Sequence, residues 1–256
     1  IQNKAMQSVE RFSGRVENYA RYRPGYPTAI IDLLKGECGL TAESVIADIG
    51  SGTGKLSDIF LANGNVVIGV EPNASMRAAA ESILAPWEKF RSVDGTAEST
   101  TLDDASVDFV LAGQAFHWFD IKKTKSEFKR ILKPNGWVVI VWNERQTDTT
   151  PFLCAYEQLL LTYGTDYQDV RHENAEPTVR ELFAPRNLRF AQFPNHQQFN
   201  FEALRGRLLS SSYTPEPSSP AFEPMLTELE SIFNEYQERG VVRFQYDTRV
   251  FYERLD

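Results

Sequence analysis

Residues 45–54 read Val-Ile-Ala-Asp-Ile-Gly-Ser-Gly-Thr-Gly. A β-branched strand runs through an acid, Asp48, into a loop with glycine at every second position. Gly50, Gly52 and Gly54 let the backbone take positive φ and approach a bound molecule closely. The helix that follows presents its free N–H groups to that molecule. Asp48 falls at the carboxyl end of the strand, where open α/β sheets bind their ligands. A carboxylate there is a poor neighbour for a pyrophosphate and a good one for an ammonium group. The segment therefore favours a ligand with an amino-acid end over a dinucleotide.

Spacing supports the same choice. The dinucleotide fingerprint G-x-G-x-x-G needs a small third residue for close helix–strand packing. Counted from Gly50 that place holds Lys55, and counted from Gly52 it holds Ser57. A second strand, Val66-Val67-Ile68-Gly69-Val70, ends at Glu71. An acid about 20 residues beyond the first-strand loop suits a pair of ribose hydroxyls.

These residues resemble the class I S-adenosylmethionine-dependent methyltransferases. The likeness rests on Asp-Ile-Gly-Ser-Gly-Thr-Gly at 48–54 and Gly-Val-Glu-Pro-Asn-Ala-Ser-Met at 69–76. It extends through Asp94-Gly95-Thr96-Ala97-Glu98, Ser106–Leu111, Gln114-Ala115-Phe116-His117-Trp118-Phe119-Asp120 and Leu132–Trp137. The segment after the fourth strand is similar to a small-molecule branch, the methyltransferase type 11 domain. The resemblance covers 45–143 most closely. It implies an α/β, Rossmann-like, mostly parallel seven-stranded sheet with one antiparallel strand, helices on both faces and a helical cap. It also implies S-adenosyl-L-methionine as cofactor.

Residue roles follow from that resemblance. Gly50, Ser51, Gly52 and Gly54 line the methionine–ribose part, and Asp48 balances the ammonium. Glu71 holds the ribose, with Pro72 beside it. Met76 is either a polarizable cover for the adenine face or a core methionine. Thr96 and Ala97 edge the adenine; many relatives have Asp where this chain has Thr96. Gln114 faces the transferred methyl group. His117 is either a general base towards an acceptor hydroxyl, with a pKa near working pH, or a scaffold residue packed on Trp118. Tyr19 and Arg23, in Tyr-Ala-Arg-Tyr-Arg-Pro-Gly-Tyr-Pro at 19–27, are expected to meet the cofactor carboxylate from the lid side; the alternative for Arg23 is a surface position before a turn. Ser212 and Tyr213 precede a proline-rich loop and are placed along the acceptor pocket by position alone.

Outside 45–143 the pattern is looser. Helical spacing marks 151–163, 179–183, 201–209 and 222–237. Alternation marks a weak strand at 189–201 and a final strand at 241–252. Pro134-Asn135-Gly136 reads as a turn into a fifth strand beginning at Trp137. The expected organisation is an N-terminal helical lid over 1–43, a cofactor-binding core over 44–145, and cap helices with the last strands over 146–256, all one catalytic domain.

Composition narrows the partners. The chain has 256 residues and a net charge of −8, and its densest basic stretch is Lys122-Lys123-Thr124-Lys125. That is no basic stripe, so a nucleic-acid partner is not expected. No apolar run approaches the ~20 residues of a membrane span, and no secretory pattern is visible. Cys38 and Cys154 have no metal spacing, so no metal site is expected and a reducing cytoplasm is the natural home. The chain opens on Ile1, which leaves its native N-terminus open. The expected function is methyl transfer from S-adenosylmethionine to a small-molecule acceptor. The alternatives are a nucleotide-dependent oxidoreductase and a non-catalytic protein that keeps the cofactor pocket.

Overall fold

A computed structural model describes residues 20–167 and 175–255; Tyr19 lies outside the described residues. In chain order the elements are α1 (Ala29–Cys38), β1 (Val45–Ile49), α2 (Lys55–Ala62), β2 (Val66–Val70), α3 (Ala74–Ile83), β3 (Phe90–Val93) and β4 (Val107–Gly113). They continue with α4 (Ile121–Ile131), β5 (Leu132–Arg145), α5 (Pro151–Tyr163), α6 (Ala175–Phe183), β6 (Arg189–Phe199), α7 (Phe201–Leu209), α8 (Phe222–Tyr236) and β7 (Val242–Glu253). A short 3₁₀ turn, Phe116–Trp118, follows β4.

The strands form one seven-stranded sheet in the order β3-β2-β1-β4-β5-β7-β6. β7 runs antiparallel to both its neighbours, and β1 to β5 pair in parallel. The α/β Rossmann-like sheet with one antiparallel strand is therefore present as expected.

Period-two alternation divides the strand side chains between two cores. Ala47, Ile49, Val110, Ala112, Val138 and Ile140 pack with Phe128 and Ile131 of α4 and Phe183 of α6. On the other face Ile46, Phe109, Leu111, Val139 and Val141 pack with Ile30 and Leu34 of α1 and Phe60 of α2. Burial on both faces is why these strands are near-continuous apolar runs. α1 is thus part of a sheet face. A third core joins α5, α7 and α8 to the start of β7, through Tyr156, Leu160, Leu204, Leu208, Leu229, Phe233 and Phe244.

Boundaries differ from the sequence expectation at α6, which begins at Ala175 and not at 179, at β6, which ends at Phe199 and not at 201, and at β5. Pro134-Asn135-Gly136 does not separate a turn from the fifth strand; β5 begins at Leu132 and carries these residues as an irregularity. Val107 pairs with Leu132 but Phe109 with Trp137, and Asn135 adopts a φ of 67° there. Asparagine tolerates the left-handed region better than most residues, so the chain bulges and resumes pairing.

Candidate active site

The carboxyl ends of β1, β4 and β5 open into a cavity of about 500 Å³. Its floor is the glycine loop. Gly50, Gly52 and Gly54 have φ of 69°, 56° and 82°, the left-handed region that glycine enters without penalty. A Cβ at Gly50 would stand 2.5 Å from Cβ of Ala115, whereas one at Gly52 would meet nothing within 4 Å. Gly52 therefore faces open space and Gly50 fits tightly against the segment after β4. Gly54 is the left-handed residue before α2; it packs on Leu84 and does not line the cavity.

Asp48 is buried on β1 and lines the cavity. Its Oδ2 accepts a 2.7 Å hydrogen bond from Ser57 Oγ of α2. Its Oδ1 is buried and accepts no hydrogen bond from any described residue. Burial pushes the carboxyl up to about 6, against the Ser57 hydrogen bond, which pulls it down. A buried acceptor of this kind is costly unless something donates to it. Glu71, just past β2, spans two turns: Oε2 accepts from Gly52 N at 3.0 Å and Oε1 from Asn73 N at 2.9 Å. Burial raises its pKa as well, and those two N–H groups oppose the shift.

The other expected cofactor residues divide into two groups. Ser51, Gln114, Arg23 and His117 share the cavity wall with Asp48, Gly50 and Gly52. Glu71, Pro72, Met76, Thr96 and Ala97 lie outside that wall, past the ends of β2 and β3. Met76 and Ala97 are buried. Asn73 caps α3 by accepting from Ser75 N and Met76 N at 2.9 and 3.1 Å. Thr96 and Ser99 exchange backbone hydrogen bonds of 3.0 and 3.2 Å, closing a tight turn.

Gln114 has a left-handed backbone, φ 57°. Its side-chain amide is committed to the backbone of Asn143, accepting from N at 2.9 Å and donating to O at 3.4 Å. It ties the end of β4 to the end of β5. His117 sits on the 3₁₀ turn with its ring 4.7 Å from Trp118 and 6.4 Å from Trp142. The structure thus brings it to the cavity and also packs it among aromatic rings.

Sequence reasoning missed much of the roof. Asn143 Nδ2 and Asn195 Nδ2 both donate to Gly25 O, at 3.0 and 2.9 Å, and Gln197 Nε2 donates to Tyr22 O at 3.2 Å. These fasten segment 22–25 across the sheet. Tyr22 packs directly on Gly206 of α7, and a Cβ at Gly113 would stand 2.7 Å from Tyr26 Oη. On the far wall stand Arg145, Arg207, Tyr213 and Tyr246; only Tyr213 carried a sequence expectation. Single polar residues on strands facing partners a hundred residues away leave no local pattern. Among the described residues no three His, Cys, Asp or Glu side chains group to hold a metal, and no helix is long and apolar enough to cross a membrane.

Residues 47–140 match the methyltransferase domain family. The chain is 30% identical over 251 residues, 95% of its length and 94% of the relative's, to an uncharacterized methyltransferase-like protein of Schizosaccharomyces pombe. Among solved structures it is similar to a candidate type II methyltransferase of Anaeromyxobacter dehalogenans, at a TM-score of 0.64, 18% identity, and coverage of 91% of this chain and 98% of that one. It also shares a fold with phosphoethanolamine N-methyltransferase 2 of Haemonchus contortus, solved with phosphomonomethylethanolamine and S-adenosylhomocysteine. That likeness has a TM-score of 0.52 at 16% identity and covers 93% of this chain and 56% of that one. Similarity along nearly the whole chain, on this sheet and with this glycine loop, makes the protein a member of the S-adenosylmethionine-dependent methyltransferases, of the type 11 domain family.

Proposed function

We propose that the methyl acceptor is a small molecule and that it binds in the cavity beside the glycine loop. The observation that carries this reading is the cavity itself: about 500 Å³, roofed by Tyr22–Tyr26 and walled by Trp118, Trp142 and Tyr213. Small-molecule sites are concave, part aromatic, and of about this size. The Haemonchus contortus structure, related by fold, holds a molecule of that class. A net charge of −8 disfavours a nucleic-acid acceptor.

The residues present fit the cofactor. Asp48 Oδ1, buried and without a donor among the described residues, suits its ammonium group. Glu71 suits the ribose hydroxyls, and the same carboxylate holds the loop through Gly52. Ser51, Gly50 and Gly52 supply close backbone. Pro72, Met76, Thr96 and Ala97 form the adenine side, and Gly54 sets the loop's exit onto Leu84. Arg23 stands at the seam between cofactor and acceptor, its Nη2 donating to Ser210 O at 3.1 Å. S-adenosylmethionine brings an electrophilic, sulfonium-bound methyl group, so the protein needs neither a metal nor a covalent nucleophile. What the chain's own residues contribute is alignment and exclusion of water. Gln114 fixes the β4–β5 seam, the Tyr22–Tyr26 segment covers the cavity, and His117, on the cavity wall, is the proposed acceptor of a proton from an acceptor hydroxyl. In this reading the Tyr22–Tyr26 segment serves the 44–145 core as lid, α1 backs the sheet, and α5, α7 and α8 form the cap beside the sheet's last strands.

A screen of metabolites with methyl-labelled cofactor tests the proposal. Label should pass to a small molecule; transfer only to protein or RNA would contradict it. With the acceptor in hand, His117→Ala should lower turnover by roughly 10²–10⁴-fold if it is the base, with cofactor affinity unchanged.

A further inference from the structure

We propose that Arg207 anchors an anionic oxygen group, a carboxylate or phosphate, carried by the methyl acceptor. The proposal rests on the small-molecule reading above and adds the chemical class. Arg207 lies on α7, is buried, and lines the cavity. Its Nη1 donates to Ser211 Oγ at 3.2 Å, and its Nε is buried with no hydrogen-bond partner among the described residues. No carboxylate of the described residues lies within ion-pair distance of it; its other neighbours are the phenols of Tyr246, Tyr213 and Tyr156, Tyr246 in hydrogen-bond contact, and the ring of Phe244, 5.9 Å from Cζ. A buried guanidinium without a counter-ion is costly, because desolvation is not repaid by Coulomb attraction.

Its surroundings add positive potential. Arg23 Nη2 reaches the same hydroxyl, Ser211 Oγ, at 3.4 Å. Arg145 lines the same cavity but is engaged by Glu157 and by Tyr167 Oη. Burial alone would raise the Tyr213 phenol, yet Arg207, Arg23, a hydrogen bond with Ser211 and Arg145 together bring it below the ordinary phenol range. An oxyanion bound between Arg207 and Tyr213 supplies the missing counter-charge, and the planar fork of arginine suits two oxygens at once.

The cofactor's own carboxylate is the other source of this chemistry. Position argues against it. Asp48 is on β1, whereas Arg145 ends β5, opposite Tyr246 of β7. β1 and β5 are two strand spacings apart, about 10 Å, with β4 between them. Arg145 therefore stands over the β5–β7 side, and Arg207 lies beside Phe244 of β7, away from the glycine loop.

The test titrates sodium succinate and sodium phosphate, with succinamide as neutral control, into protein saturated with S-adenosylhomocysteine, followed by calorimetry and melting temperature. Wild type should bind at least one of the two anions and not succinamide. Arg207→Met should lower that affinity at least about tenfold and leave S-adenosylhomocysteine affinity within about twofold. Without any anion the same variant should melt above wild type, since it no longer buries an unpaired charge. If it does not fold, Arg207→Lys keeps the charge but loses the fork and should weaken anion binding severalfold. Three results overturn the proposal: no anion binding by wild type, equal anion binding by the folded variants, or loss of S-adenosylhomocysteine affinity in their place, which would give the guanidinium to the cofactor. Failure of wild type to bind S-adenosylhomocysteine would contradict the cofactor-site reading; the anion titration, run without it, would then decide the role of Arg207.

Discussion

Asp48 is a buried carboxylate near the end of β1, on the cavity wall. Burial holds its carboxyl at about 6 in the folded protein, against about 3.9 when unfolded. Between those values the folded state keeps a proton that the unfolded state has released. Its contribution to stability therefore falls as pH rises from 4 to 6, and the penalty is complete above 6. Asp48→Asn removes the titration and keeps the shape. The ligand-free variant is expected to melt above wild type at pH 7.5 and close to it at pH 4, where both side chains are neutral. An equal shift at both pH values, read by thermal denaturation, would show that Asp48 is not held in the charged state at a cost. Asp48 was legible in the sequence because strand, acid and glycine loop are contiguous. Arg207 was not: Ser211 and Tyr213 follow α7 closely, but Phe244 of β7 and Arg23, which shares Ser211 Oγ, come from distant parts of the chain that only the fold assembles.

At the scale of elements, the roof is held by a close contact of α7 with the segment before α1. The Tyr22 ring occupies the place a side chain at Gly206 would take. Gly206→Ala should therefore destabilise the protein by about 1–3 kcal/mol, the range for overpacking a filled site, although alanine is the better helix former. Adding Tyr22→Ala should recover part of that loss, because the clash is then gone; a double-mutant cycle in denaturant reads the coupling. Strictly additive losses would mean the ring and the helix do not meet. The sequence signalled α7 by its spacing but carried no sign that a glycine inside it served a tyrosine 184 positions earlier. The bulge at Pro134–Gly136 was misread as a turn for a related reason. Its residues are turn formers, and only pairing with β4 decides that the strand begins before them.

For the whole molecule, β7 joins what the sequence divides into core and cap. Val242, Phe244 and Tyr246 belong to the cap's apolar cluster, Val250 and Tyr252 to the α1–α2 face, and Phe251 to the opposite face. One strand thus enters all three cores. Core and cap are expected to unfold in a single cooperative transition, with far-ultraviolet dichroism and tryptophan fluorescence coincident. Two separated transitions would show that the cap is an independent unit. The sheet order was legible only through family resemblance, since period-two patterns locate strands but do not say which ones pair. The same shared architecture puts the glycine loop, Asp48 and the wall of Arg145, Arg207, Tyr213 and Tyr246 around one cavity. The claim that holds the account together is that Asp48 faces the cofactor's ammonium. Calorimetric titration of S-adenosylhomocysteine into wild type, Asp48→Asn and Thr96→Ala at neutral pH tests it most directly. The account predicts micromolar binding to wild type, worth about 8 kcal/mol. It also predicts a larger loss for Asp48→Asn than for Thr96→Ala, because a charge-assisted hydrogen bond is roughly twice as strong as a neutral one. Equal losses in the two variants, or unchanged affinity in Asp48→Asn, would contradict it.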